Sequence, residues 1–285
     1  MKTSELKERY KEYLHILMEE INKQKSSEVI LNYFDFCSRF HRYSFHNQML
    51  IWMVAPDATD VAGFHTWKKL GRTVKKGEKG IPIFAPIWVK RKPEADHEGI
   101  TEETEGNDSE QKKMFFRVVY VWDVSQTEGD PLPEVPDAMN VGGSVRDGIL
   151  PLLEKYTSME GIRLNYNDSL IHNAHGMSMG GQIVILSSLT DEQKFHALAH
   201  ELAHEHLHGT QERLEYSKRL KETEAEATAY IVCRRFGLQP QSSVYLAIYR
   251  TEEIDIQGSF DRITKAASRI LKGIESARIN MKKAA

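Results

Sequence analysis

Two textures of apolar and polar positions alternate along the chain. Residues 3 to 24 carry apolar side chains at helical spacing, a second such stretch runs from about 27 to 40, and a third from Ser44 to Val54. Ser44 suits the N-cap of the third, and Pro56 lies just past its end. Glycines then punctuate runs of β-branched and aromatic residues. "GRTVKKGEKGIPIFAPIWVKR" and "MFFRVVYVWDV" are expected to form strands. Between them "PEADHEGITEETEGNDSEQ" is acidic and lacks an apolar period. A mobile loop over 93–112 is expected, with an acidic flap over the preceding basic stretch as a second reading.

"EGDPLPEVPDAMNVGG", 128 to 143, is rich in proline and glycine and reads as a linker, set at 131–143. Beyond it come a helix at about 144 to 158, short strands at "IRLNY" and "GGQIVILSS", and then mostly helices, the last at about 259 to 282. The pattern predicts an α+β fold in two domains. Residues 1–130 form a helix-plus-sheet domain, and 144–285 a helix-rich one.

Composition narrows the function little. Apolar residues make up 40% and charged ones 28%, a soluble balance, and a net charge of −3 gives no global argument for nucleic acid. Cys37 and Cys233 stand far apart, against both a disulfide framework and a cysteine-rich zinc site. The longest apolar run, "MLIWMVA", falls short of the roughly 20 residues of a membrane span. The N-terminus lacks the apolar core of a signal peptide, so a cytoplasmic location and no membrane partner are expected.

The chemistry concentrates in "SLTDEQKFHALAHELAHEHLHG". Thr190 as cap, Asp191 and Glu192 in the first turn and Gly209 past the end predict a helix over 191–208. It holds two overlapping H-E-x-x-H strings, His200 to His204 and His204 to His208. Residues four apart lie about 40° apart around a helix, so two imidazoles so placed can meet one ion. The first string has apolar flanks at Leu198, Ala199, Leu202 and Ala203 and sits mid-helix. The second ends against Gly209 and carries the polar His206. The first is therefore the expected zinc site, with His200 and His204 as ligands. Glu201, about 100° round from His200, can take the proton of a zinc-activated water. His196 and His208 are expected at the polar edge or in support of the ligands.

A third ligand is expected from "RLKETEAEATAYIVCRRFG", a helix over about 217 to 236. Glu222 and Glu226 share a face followed by small alanines, which suits packing on the histidine helix. Glu222 is read as the ligand and Glu226 as the group that orients an imidazole, with Glu224 as the alternative ligand. "HELAH" followed by "ETEAEATAY" resembles the zinc metallopeptidases of the ImmA/IrrE type, with H-E-x-x-H and then E-x-x-A-(N/D/E)-x-x-A. The resemblance covers roughly residues 145 to 240 and implies a gluzincin-like, zincin-type peptidase domain with Glu222 as ligand. Thr228 and Ala229 stand where that family usually has Phe-Ala.

The N-terminal half has a basic stretch of its own: Lys68, Lys69, Arg72, Lys75, Lys76 and Lys79, opposed only by Glu78 and accompanied by Phe64, His65 and Trp67. Basic groups track phosphates while exposed rings stack on unpaired bases. Tyr43-Ser44-x-x-Asn47, "P-x-A-T" from Pro56, "GF-x-x-W" ending at Trp67, "GR-x-V-KKGEKGI" and "VWDVSQTEG" together resemble the N-terminal domain of ArdC-type antirestriction proteins. That resemblance implies binding of single-stranded DNA, pairing with a metallopeptidase-like C-terminal domain, and a role on mobile elements in protecting incoming DNA. Tyr43, Asn47, Trp67 and the six basic residues are the candidate DNA contacts. For Trp67 burial ranks ahead of stacking, and Tyr43 and Asn47 also read as structural.

The preferred expectation is a DNA-associated zinc metallopeptidase acting on an unidentified protein or peptide. The glycine-led strand at 180 to 186 would pair with substrate, and His172, His175, Tyr216 and Tyr230 are candidates to stabilise the transition state. One rival is a non-proteolytic single-stranded-DNA-binding protection protein with a structural or vestigial metal. The other is an ImmA-like, repressor-cleaving peptidase without DNA binding.

Overall fold

The computed structural model describes residues 1–24, 28–90, 112–132, 148–170, 174–208, 216–240 and 255–284. The acidic stretch at 93–111, most of the 131–143 linker, His172 and Gly209 lie outside the described residues. Two compact units form, Met1–Ile16 with His46–Leu132, and Leu17–Phe45 with Pro133–Ala285. The expected single cut near residue 130 is thus interrupted by residues 17–45, which group with the C-terminal half. The cause is aromatic: Tyr33 stacks on Phe260 at 5.8 Å between ring centroids, and Phe34 and Phe45 contact the same ring.

The first unit holds the start of α1 (Thr3–Gln24), most of α3 (Phe45–Val54), β1 (Val61–Gly63), α4 (Phe64–Lys69), β2 (Arg72–Val74), β3 (Ile81–Lys90), β4 (Lys112–Asp123) and β5 (Thr127–Gly129). The expected strands pair as an antiparallel sheet ordered β1-β4-β3, with β2 and β5 as a separate pair. Ile81 lies opposite Val121, and both are buried with Ile83, as the two-residue period of a one-sided sheet requires. Beyond β4 the chain turns on Asp123. Its carboxylate accepts the N–H groups of Thr59 (2.9 Å), Asp60 (3.2 Å) and Ser125 (2.9 Å), while Gln126 reaches back to the Asp123 N–H. Burial pushes that carboxyl up, but these donors prevail and hold it below its ordinary value.

The second unit holds α2 (Glu28–Arg39), α5 (Ile149–Met159), β6 (Arg163–Asn167), β7 (Gly176–Ser178), β8 (Gln182–Leu186), α6 (Asp191–His208), α7 (Lys218–Arg235) and α8 (Ile256–Ala284). The sheet runs β6-β8-β7, with β8 parallel to β6 and antiparallel to β7. The strand expected to offer a free edge, β8, is therefore the central one, because both its neighbours bond to it. The short β7, too brief for its pattern to signal a strand, lies at the edge. α6 packs on α7, and both meet α8. No helix among the described residues is long and apolar enough to cross a membrane. Both cysteines are buried and free, and burial pushes their thiols up, so they behave as inert core residues.

Candidate metal centre

α6 starts where its cap chemistry dictates. The Thr190 N–H donates to Gln193 Oε1 at 2.9 Å, and Thr190 Oγ1 accepts from the Gln193 N–H at 3.4 Å. α7 starts on Ser217, whose hydroxyl accepts the Leu220 N–H at 3.1 Å. Ala203 and Leu207 of α6, Ala225 of α7 and Ala266 of α8 form one buried cluster. Methyl-sized side chains at that seam let the helices approach, so the longer polar side chains alongside meet.

What meets is the expected trio. His200 Nε2 and His204 Nε2 stand 3.1 Å apart, and Glu222 Oε2 lies 3.4 Å from the first and 3.6 Å from the second. Tetrahedral bonds of about 2.0–2.1 Å place neighbouring donor atoms about 3.3 Å apart, so the three separations bracket what a zinc-sized cation requires. Among the described residues this is the one group of three or more such side chains so convergent. The charges agree. Burial pushes His200 down, yet Glu222 and Glu226 outweigh it and bring the imidazole up to about 10. The two imidazoles hold Glu222 far below the ordinary carboxylate range. The pocket is built for positive charge, and a proton answers that demand when no cation does.

Glu226 takes the supporting place read from its spacing. Its Oε2 accepts the Nδ1–H of His200 at 3.0 Å, and Oε1 is 3.1 Å from His196 Nε2. Glu224, the alternative ligand, is fully buried and bound to Arg262, with its Oε2 3.5 Å from His208 Nε2. That carboxylate is committed to the interior, so the alternative ligand is set aside.

Glu201 is buried and couples electrostatically to His200, His204 and Glu222, which places it at the same pocket. Burial raises its carboxyl above the ordinary value, against the pull of the two imidazoles. Gly176 of β7 leaves it room: a Cβ there would come within 2.8 Å of Glu201 Cγ. Glu205, which the sequence did not single out, accepts from Ser178 Oγ and from the N–H groups of Gly180 (2.9 Å) and Gly181 (2.8 Å). Both glycines have positive φ, and the carboxylate clamps the β7–β8 turn they make. Of the candidates for transition-state stabilisation, Tyr230 gives its hydroxyl to Asp35 at 3.0 Å and Tyr216 lies under the Arg262 guanidinium. His175 is exposed just before β7.

The candidate DNA contacts divide, and all but Tyr43 lie in the first unit. Trp67 is 2% exposed and donates its indole N–H to the Trp122 carbonyl at 2.9 Å, so it is a core ring and not a stacking platform. Asn47 is buried and bridges both backbone groups of Phe84 at 2.9 Å each. Tyr43 is half-buried against Phe40. Arg72 spends its guanidinium on Thr127, Gly129 and Asp130, tying β2 to β5. Lys68, Lys69, Lys75, Lys76 and Lys79 are exposed, and Lys75 Nζ donates to the Ser125 carbonyl at 2.8 Å. Phe64 (46%), named beside the basic stretch, is exposed as a stacking ring must be, and so are Trp88 (63%) and Tyr120 (41%), which the sequence did not single out.

Fold and site together describe a mixed α+β chain with a two-histidine, one-glutamate group on paired helices that could hold a cation. Residues 8–122 match the family described as the N-terminal domain of anti-restriction factor ArdC. The uncharacterised protein pXO2-81 of Bacillus anthracis is 29% identical over 312 residues, covering 96% of this chain and 53% of the relative. The chain thus spans about half the length of that curated relative. Crystal structures of the antirestriction ArdC protein from the R388 plasmid are also similar. The metal-free one shares 20% identity at a TM-score of 0.47, covering 84% of this chain and 86% of that one. The Mn(II)-bound one shares 15% at 0.45, covering 86% and 97%.

Proposed function

We propose that this chain is a DNA-associated peptidase of the antirestriction type, dependent on a divalent cation that its donor set suits to zinc. The observation that carries the reading is the convergence of His200, His204 and Glu222 beside a buried glutamate. A cation held there supplies Lewis-acid polarisation of a peptide carbonyl and lowers the pKa of bound water. Glu201 accepts a proton from the attacking water and delivers it to the leaving amine. The outer edge of β7, where the sheet ends among the described residues, would offer backbone groups to an extended peptide lying as a further strand alongside Glu201. Titration with zinc should give one ion per chain. Glu222→Ala, lacking one of three donors, should lose binding at micromolar zinc; undiminished binding would refute the site.

The DNA half of the reading rests on the exposed lysines of the first unit and on the family match at 8–122. Lys68, Lys69, Lys76 and Lys79 are the phosphate contacts proposed. If all four meet phosphates of single-stranded DNA, log affinity should fall against log salt with a slope of about −2.8. Reversing the four to glutamate should abolish binding and leave the thermal midpoint nearly unchanged, since all are exposed. Equal binding by that variant would remove single-stranded DNA from this surface.

A further inference from the structure

We propose that His208, Glu224 and Arg262 form a relay that fixes His204 as a cation ligand, so that the second H-E-x-x-H string is scaffolding for the first. The inference rests on the reading of His200, His204 and Glu222 as a cation site, and it is derived from the far end inward. Arg262 can only donate, and its Nε reaches Glu224 Oε1 at 3.1 Å and Oε2 at 3.3 Å, with Ser259 as a further donor. Glu224 is fully buried, and so paired it stays a carboxylate, an acceptor only. The His208 Nε2 beside it, at 3.5 Å, must therefore carry a proton. Arg262 already meets the charge of Glu224, so the relay takes His208 as neutral, and a neutral imidazole has one N–H, which leaves His208 Nδ1 an acceptor. That atom faces His204 Nδ1 at 2.9 Å, so His204 donates from Nδ1 and keeps its lone pair on Nε2. Nε2 is the atom that meets His200 and Glu222.

Each ligand imidazole thus has its tautomer set from behind, by different means. His200 leans directly on Glu226, whereas His204 reaches its carboxylate through a second histidine. The other members of the second string are spent as well. Glu205 clamps the β7–β8 turn, and His206 bonds the Tyr156 hydroxyl at 2.9 Å. One string holds the cation; the next, one turn along, holds the first in place. His208 is a positioning residue in this scheme and not a ligand.

The test uses the full chain and zinc alone, titrated against a competing chelator. His208→Leu removes the acceptor and should bind zinc about 10–100-fold more weakly. His208→Gln keeps an amide oxygen to accept from His204 and an amide N–H to give to Glu224, so its affinity should return to within a few-fold of the unaltered chain. Long-range ¹H–¹⁵N correlation on the unaltered protein should show His204 protonated at Nδ1 both without zinc and with it. This decides the matter even where the leucine variant fails to fold. An Nε2–H tautomer at His204 in the zinc-free chain, or leucine-variant affinity equal to that of the unaltered chain, overturns the relay alone. Failure of the unaltered chain to take up zinc overturns the cation site and the relay's purpose with it.

Discussion

Glu201→Gln should keep its zinc and lose about 10²–10⁴-fold in peptide hydrolysis. The amide has the shape of the acid but cannot accept a proton. The cation-binding atoms of the proposed site belong to His200, His204 and Glu222, so metal content should stay at one ion per chain while turnover collapses. Both numbers should be taken on one preparation, because loss of metal would mimic loss of the base. The same variant separates the peptidase from a DNA-protecting protein with a vestigial metal. The latter would defend an incoming plasmid in a restricting host equally well with glutamine at this position. Hydrolysis at the unaltered rate would end the mechanism.

The candidate metal site was legible in large part because it is local. Cap residues and helical spacing placed α6 and α7, and the four-residue interval put His200 and His204 on one face. Spacing alone left Glu222 and Glu224 as rivals, since three glutamates alternate over five positions. The decision came from Arg262, 38 residues beyond Glu224, and no local pattern announces a partner so far along the chain. His208 stayed undecided between the polar edge and support of the ligands for the same reason: its place depends on a buried carboxylate of another helix. The strand meant to meet substrate was misplaced because pairing order depends on tertiary contacts. Its apolar run fits a strand bonded on both sides as well as an edge. In the N-terminal unit the basic residues resemble one another in sequence, yet Arg72 is spent on backbone carbonyls while the lysines project outward. The division of the chain at residue 130 missed that α2 supplies aromatic side chains to the C-terminal core.

Zinc affinity should climb about tenfold for each pH unit from about pH 6 to 9. Without a cation His200 stands up to about 10, held there by Glu222 and Glu226 against the opposing push of burial. Below that value the ring carries a proton that must leave before its nitrogen can coordinate, so one proton is released for each ion bound. The sign for stability follows from the same shift. A histidine raised in the folded state stabilises the cation-free protein fully below its ordinary value of about 6.5, and that contribution fades as pH climbs toward 10. The cation-free chain should therefore lose thermal stability across that interval, while the zinc-loaded chain, whose acids are already neutralised, should not. The gap between their thermal midpoints should widen by the equivalent of about 1.4 kcal/mol per pH unit at fixed free zinc. Chelator-buffered titrations and paired melts at several pH values check both slopes. Affinity that stays flat from about pH 6 to 9 would show that no proton occupies His200, and the two glutamates would then have to be balanced by some other charge.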